Sequence, residues 1–360
     1  MTLITPDFVF DGETLRNDLS VIVDQTVQLV PRDAAGQRYA GAIAPGYIDL
    51  QVNGGGGVLV NTQPQALDAL AAAHRQFGTV ALLPTVITDR PEVLDSVTEV
   101  MLRRHTGEAG DPIVGLHIEG PHIALSRRGT HDARYVRPLD ERTMRCLRDL
   151  RAVGIPVLLT LAPEVVPPGQ IAQLVELGVI VSLGHSDATA AQARAGFAAG
   201  AQAVTHLFNA MSPLGHREPG MVGAALTDAP FVGLIADGIH VDDTVLPLVF
   251  RAVAGRVFLV SDAMPTVGGP SEFNLYGATI SVRDGRLINA EGALAGAHTT
   301  MAEGVARLIR LGLPPQAVLA AAITHPAALI GRRDLSALQG RSERDVVWLG
   351  GDWMPTKGPR

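Results

Sequence analysis

At 360 residues the chain is longer than a typical single domain, and an α/β barrel of about 250 residues would use most of it and leave room for a small accessory unit. Hydrophobic residues make up 47%, charged residues 18% and aromatics 4%, which suits buried parallel strands covered by helices and excludes a disordered chain. The net charge of -7, from 36 acids against 29 bases without a long run of like charge, excludes a basic stripe for nucleic acid, although a few converging cations and backbone N–H groups would still hold a small anion.

The first residues carry no basic segment followed by a sustained apolar run, and no window reaches the ~18 apolar residues of a membrane span. A soluble cytoplasmic protein is therefore expected, with neither membrane nor nucleic acid as partner. Residues 1–41 hold short β-like pieces (Phe8 to Phe10, Leu19 to Val23, Thr26 to Val30) between Asp-Gly and Gly-Gln turns. Residues 335–360 have the same character, with Val346-Val347-Trp348-Leu349 before Gly350-Gly351. Both ends are expected to form one small β-sandwich domain.

Residues 42–334 are expected to form the barrel. They offer eight short runs rich in Val, Ile and Leu: Ala42 to Leu50, Val80 to Ile87, Pro112 to Ile118, Pro156 to Leu161, Val179 to Leu183, Ala203 to Leu207, Phe231 to Ala236 and Val257 to Ser261. Between them lie Ala-rich helical patterns such as Pro64 to Phe77, Asp187 to Ala199 and Asp242 to Ala254. Parallel strands joined by crossover helices account for such alternation, and eight units predict a (β/α)8 TIM-like barrel. A doubly wound open sheet reads the same way locally. Its nucleotide fingerprint is missing, because Gly54-Gly55-Gly56-Gly57 has neither GxGxxG spacing nor a following Lys-Ser/Thr; this run reads as a flexible turn. Cys146, the single cysteine, falls in a helical stretch (Asp140 to Val153) and reads as a packing residue rather than a nucleophile.

Active sites of α/β barrels lie at the carboxyl ends of the strands, so the residues just past each run are informative. Run 3 leads into Glu119-Gly120-Pro121-His122, run 5 into Gly184-His185-Ser186, run 6 into Thr205-His206-Leu207-Phe208-Asn209, run 7 into Asp237-Gly238-Ile239-His240 and run 8 into Ser261-Asp262-Ala263. A Glu with two His residues is a recurrent catalytic zinc set that leaves a fourth position open, and Glu119, His185 and His206 match it. Each His alone would read as a hydrogen-bonded packing residue. Asp262 is the natural proton-transferring carboxylate, with a helix N-cap as its ordinary alternative. His131, on the long loop after run 3, is placed to stabilise charge on a carbonyl oxygen or is simply solvated. Arg217 offers a planar fork for phosphate, which His240 could join, against a plain surface role.

These segments resemble the N-acetylglucosamine-6-phosphate deacetylases of the amidohydrolase superfamily. The likeness runs through Pro45-Gly46-Tyr47-Ile48-Asp49-Leu50-Gln51-Val52-Asn53-Gly54, His117-Ile118-Glu119-Gly120-Pro121, Gly129-Thr130-His131, Gly184-His185-Ser186, Thr205-His206-Leu207-Phe208-Asn209-Ala210-Met211, Arg217-Glu218-Pro219-Gly220, Asp237-Gly238-Ile239-His240, Ser261-Asp262-Ala263 and Leu294-Ala295-Gly296-Ala297. It implies that Glu119, His185 and His206 bind the metal, that Asp262 is the catalytic acid and base, and that His131 polarises the acetyl carbonyl. It further implies substrate contacts from Gln51, Asn53, Asn209, Ala210, Arg217, His240 and Leu294, with Arg217 and His240 reaching into the neighbouring site of a homodimer. Many amidohydrolases carry His-x-His after strand 1 for a second metal, where this chain has Gln51-x-Asn53. Amide side chains are weak metal ligands beside imidazole, so one divalent ion per subunit is expected, with zinc as the ion. The family's usual Gly-x-x-Ala-Asp spacing is not cleanly reproduced around Gly340 and Asp345.

The expected activity is hydrolysis of N-acetylglucosamine 6-phosphate to glucosamine 6-phosphate and acetate in amino-sugar catabolism. Hydrolysis of N-acetylgalactosamine 6-phosphate or a related acylamino sugar phosphate is the first alternative, since nothing in the sequence resolves one hydroxyl's orientation. A sugar-phosphate-binding protein without turnover is the second, disfavoured because every inferred ligand and Asp262 are present.

Overall fold

The computed structural model describes residues 2–104, 110–290 and 292–359, so positions 1 and 360 of the expected terminal domain and positions 105–109 and 291 within the expected barrel range lie outside it. Eight parallel strands run in sequential order around one sheet. They are β1 (Tyr47–Val52), β2 (Thr79–Ile87), β3 (Leu116–Glu119), β4 (Val157–Leu161), β5 (Ile180–Leu183), β6 (Ala203–Val204), β7 (Phe231–Leu234) and β8 (Val257–Leu259). A parallel bridge between Val52 and Ala263 joins the last strand's continuation to the first, and the sheet becomes a barrel. Helices cross over between successive strands, among them Leu67–Arg75, Pro91–Arg104, Glu141–Ala152 and Ala190–Ala198. Each expected apolar run is represented by a strand, because a parallel strand buried on both faces is mostly apolar.

The first run is divided. Ala42 to Pro45 ends a strand Gln37–Pro45 that belongs to the terminal sheet, pairing with Thr2–Phe10 on one side and Val346–Leu349 on the other, and only from Tyr47 does the chain enter the barrel. The break comes at Gly46, where a Cβ would lie 2.2 Å from Val80 Cγ1. The chain ends form a single seven-stranded sheet over a small core that includes Ile4, Val9, Val21, Val27, Ile43 and Leu338.

Inside the barrel, Ile48, Leu50, Ala81, Leu83, Leu158 and Phe258 pack with Ala327, Leu329 and Ile330, so the C-terminal helical segment closes the amino-terminal end. Above this apolar layer lies a buried polar one. His117 Nε2 is 2.8 Å from Thr160 Oγ1, which is 2.7 Å from Thr205 Oγ1, itself 2.7 Å from Ser182 Oγ. Burial pushes the His117 imidazole down to about 4, so it stays neutral and is satisfied by hydroxyls, as a buried polar group requires.

Gly54 to Gly57 is not a loose turn. Gly54–Gly55 pairs with Val58–Leu59 in a tight hairpin, and His74 Nε2 lies 2.9 Å from the Gly54 carbonyl. A Cβ on Gly55 would sit 2.5 Å from that same nitrogen, so glycine here serves close packing. A three-stranded antiparallel sheet (Glu272–Leu275, Ala278–Arg283, Arg286–Ile288) is inserted after β8, and was not foreseen in the sequence. Its Leu275, Ile280 and Leu287 pack on Leu59, Ile87 and Met264 at the barrel mouth. Cys146 is buried in the helix Glu141–Ala152, and no described helix is long and apolar enough to cross a membrane.

Candidate active site

Five strand ends converge on one cavity of about 170 Å³ at the carboxyl-terminal mouth of the barrel. Glu119, the last residue of β3, lies at its floor and is 2% exposed. Glu119 Oε1 is 2.9 Å from His206 Nε2 and 3.3 Å from His185 Nε2, and those two nitrogens are 3.2 Å apart. Four-coordinate zinc with ligand distances of 2.0–2.1 Å places its ligand atoms roughly 3.3 Å from each other. The three atoms therefore already have the spacing that one tetrahedral ion demands. His185 Nδ1 lies 2.9 Å from the Arg127 carbonyl; a carbonyl only accepts, so Nδ1 carries a proton, the outer contact that ligating imidazoles use. His206 Nδ1 is buried without a hydrogen-bond partner among the described residues.

His131 is also buried, at 6% exposure, and is not a solvated loop residue. Its Nε2 is 3.9 Å from Glu119 Oε2, and with Glu119 and His185 it makes a second possible ligand trio whose atoms lie within 4.8 Å. The trio containing His206 is tighter. Burial first, then the neighbouring His185, pushes the His131 imidazole down to about 3, which keeps it neutral.

Asp262 faces this group from the seam between β8 and β1. No helix starts there, so it is not an N-cap. Gln51 Nε2 donates to Asp262 Oδ1 at 3.0 Å and to Glu119 Oε1 at 2.9 Å, and Asn53 Nδ2 donates to Asp262 Oδ1 at 2.7 Å. Burial, and then the charge of Glu119, push the Asp262 carboxyl up to about 6. Burial works to raise Glu119 as well, but hydrogen bonds from His185 and His206 outweigh it and hold that carboxyl well below the usual range. Two carboxylates in one cavity thus separate, one kept ionised and the other poised near neutrality, the division that acid and base roles require.

The backbone at these positions is unusual. His185, His206 and Asp262 have φ of 47°, 26° and 52°, in the left-handed region that non-glycine residues rarely occupy, at a cost of order 1 kcal/mol or more each. Such turns aim each side chain inward where its strand stops.

Of the expected substrate contacts, Asn53, Asn209, Ala210, His240 and Leu294 line the cavity, and Gln51 reaches it through Glu119 and Asp262. His240, expected to reach into a neighbouring site, instead lines the cavity of its own chain, oriented by Asp237, whose Oδ2 lies 2.7 Å from His240 Nδ1. Arg217 is exposed and does not line the cavity of its own chain. The structure adds Thr88, 1% exposed at the end of β2 with Oγ1 2.7 Å from His131 Nδ1, and Asp49, which accepts from the Ser261 hydroxyl and from the Gln51 amide at 3.2 Å. Thr88 could have been found by asking of β2 what was asked of the other strands. Met264 and Gly296 complete the wall. A larger open crevice, about 1010 Å³, lies among Arg75, Asp334 and Arg341 and holds none of these residues.

A closed parallel barrel whose strand ends bring Glu119, His185, His206 and Asp262 to one cavity defines the chain as an amidohydrolase-type hydrolase. No family model matches the chain. It is 41% identical over 323 residues to the N-acetylgalactosamine-6-phosphate deacetylase of Shewanella sp. (strain ANA-3), covering 87% of this chain and 80% of that one. It is 33% identical over 304 residues to the N-acetylglucosamine-6-phosphate deacetylase of Haemophilus influenzae, covering 81% and 78%. The crystal structure of N-acetylglucosamine-6-phosphate deacetylase from Pasteurella multocida superposes with a TM-score of 0.89 at 30% identity, covering 98% of this chain and 96% of that one. The chain belongs to the N-acetylglucosamine-6-phosphate deacetylase family, with its N-acetylgalactosamine-6-phosphate variants.

Proposed function

We propose that the chain hydrolyses the acetamide of N-acetylglucosamine 6-phosphate, releasing acetate and glucosamine 6-phosphate. The observation that carries this reading is the convergence of Glu119, His185 and His206 at single-ion spacing opposite Asp262, in one cavity that His240 also lines. Glu119, His185 and His206 would hold one divalent ion, with zinc as the ion of this reading. Such an ion lowers the pKa of water to about 7 and polarises a carbonyl oxygen.

The chain's own residues do the rest. Asp262, ionised above about pH 6, takes a proton from the attacking water as its oxygen bonds to the acetyl carbon. His131 donates a hydrogen bond to the carbonyl oxygen as charge collects there. Asp262 then returns the proton to the amine nitrogen as the C–N bond breaks, leaving acetate. Gln51 and Asn53 bring N–H donors to the carboxylates of Glu119 and Asp262, partly offsetting the charge that a second ion would otherwise balance. This supports one ion per subunit.

His240, held by Asp237, takes the phosphate end of the substrate. Arg217 completes that end from a second copy of the chain in a homodimer, since it is exposed and lies outside its own cavity. The cytoplasm is the compartment of this reading.

The galacto-configured substrate is a second reading, favoured by the Shewanella relative at 41% identity against 33% for the Haemophilus one. Acetate release measured across N-acetylglucosamine and N-acetylgalactosamine, each with and without a 6-phosphate, separates the two, with elemental analysis of the same preparation. Release from the phosphorylated gluco sugar with one ion per chain supports the proposal. Release confined to the galacto sugar supports the second reading, and no release from either phosphorylated sugar defeats both.

A further inference from the structure

We propose that Thr88 is a positioning residue that fixes the tautomer of His131, and so decides whether that imidazole is a hydrogen-bond donor to substrate or a metal ligand. This rests on the reading of His131 as the group that meets the acetyl carbonyl.

A neutral imidazole carries one proton on either nitrogen. With the proton on Nε2, His131 is a donor toward the cavity. With the proton on Nδ1, Nε2 presents a lone pair, and His131 joins Glu119 and His185 as a third ligand, for which its distances also suffice. The geometry alone of Nε2 serves both roles, so the choice belongs to whatever meets Nδ1. That partner is Thr88 Oγ1, at 2.7 Å.

The Thr88 hydroxyl has one proton to place between the Glu119 carbonyl at 3.4 Å, which only accepts, and His131 Nδ1 at 2.7 Å, which accepts in one tautomer and donates in the other. The nearer distance is that of a well-formed hydrogen bond and the farther one is at the limit. Donation to Nδ1 leaves the His131 proton on Nε2, which points toward Glu119 Oε2 at 3.9 Å; an N–H there is attracted to the carboxylate, whereas a lone pair would be repelled. Both contacts favour the same tautomer.

The surroundings hold Thr88 in that pose. Tyr276, from the inserted three-stranded sheet, donates its hydroxyl to the Thr88 carbonyl. Gly120, immediately after Glu119, has φ 78°, and a Cβ there would lie 2.2 Å from Thr88 Oγ1, so glycine leaves the space that the hydroxyl occupies. Three separate elements thus converge on one threonine.

The zinc-loaded wild-type protein, labelled with 15N-histidine, reports the tautomer directly through long-range 1H–15N couplings of the ring assigned by loss in His131→Ala. A proton on Nε2 is expected; a proton on Nδ1 overturns the inference without touching the deacetylase reading, which is tested separately by acetate release from the wild type. In kinetics, Thr88→Val should lower kcat by about tenfold to a hundredfold, below the loss from removing an oxyanion donor outright, with KM within about twofold and ion content unchanged. Thr88→Ser, which keeps the hydroxyl, should restore most of kcat. A Val variant with wild-type kcat, or a Ser variant as impaired as Val, overturns the inference. The wild-type spectrum and the Ser variant decide the matter even if the Val variant does not fold.

Discussion

At the scale of the residue, proton transfer and ion binding are assigned to different side chains and separate in measurement. Asp262→Asn keeps shape and loses the base, so turnover should fall by orders of magnitude while ion content stays near wild type. His185→Ala removes a ligand whose other nitrogen is already committed to the Arg127 carbonyl, and should lower turnover and ion content together. Elemental analysis beside acetate release distinguishes the two, and near-normal turnover in Asp262→Asn would remove it from the proton path. Asp49 makes a different prediction. Burial pushes its carboxyl up to about 7, so the folded chain holds this proton more tightly than the unfolded chain does. Below about pH 4 both states are protonated. Between about pH 4 and 7 the unfolded chain ionises first and stability falls, levelling off above, for a total of the order of ~4 kcal/mol. Unfolding free energies of wild type and Asp49→Asn, measured across that range, should diverge in this sense, the wild type losing relative stability as pH rises; parallel curves would count against it.

Some helices of this chain begin where a side chain satisfies the backbone. The helices Ala190–Ala198 and Met301–Arg310 both start with a capping box, Thr189 with Gln192 and Thr300 with Glu303. Thr300→Ala should cost about 1 kcal/mol in unfolding free energy. Replacing Arg103 by Ala, which breaks an exposed pair with Glu99 at 3.7 Å, should change it by less than about 0.5 kcal/mol. Chemical denaturation of the two variants tests that order, and equal losses would contradict it. The strands of the barrel were legible for a simple reason: burial on both faces makes them mostly apolar, and the chemistry gathers where each strand ends. The split at Gly46 was not legible. Ala42 to Leu50 reads as one largely apolar run, interrupted only by Asp49 near its end, and what separates its halves is pairing with Val346–Leu349, some three hundred residues away. The inserted sheet was missed for a related reason, since Glu272 to Ile288 mixes apolar and polar residues over strands of three to six residues and its buried face is covered by Leu59, Ile87 and Met264 from elsewhere.

For the whole molecule, the proposed partner of the cavity is a second copy of the chain. If Arg217 serves the neighbouring site, Arg217→Ala should chiefly raise KM for phosphorylated substrate. Mixed dimers of Arg217→Ala and Asp262→Asn chains should then regain one intact site out of two. If Arg217 serves its own chain, no intact site forms and mixing restores nothing. Co-expression with separable tags, then acetate release from the purified mixed dimer, reads the difference.

The sequence by itself determined the barrel, the positions of Glu119, His185, His206 and Asp262 after its strands, and, through Gln51 and Asn53, the expectation of a single ion. These depend on residue type and on order along the chain, which periodicity and strand-end position preserve. Tertiary structure alone decided that His131 is buried rather than solvated, that Asp262 rises to about 6 while Glu119 stays ionised, that the Gly54 to Gly57 run is packed, and that Thr88 and Asp49 stand behind the reacting groups. Each is a property of neighbours brought together from distant segments. Protonation, tautomer and burial are set by the atoms within a few ångströms, and in a barrel those atoms come from strands that only closure makes adjacent.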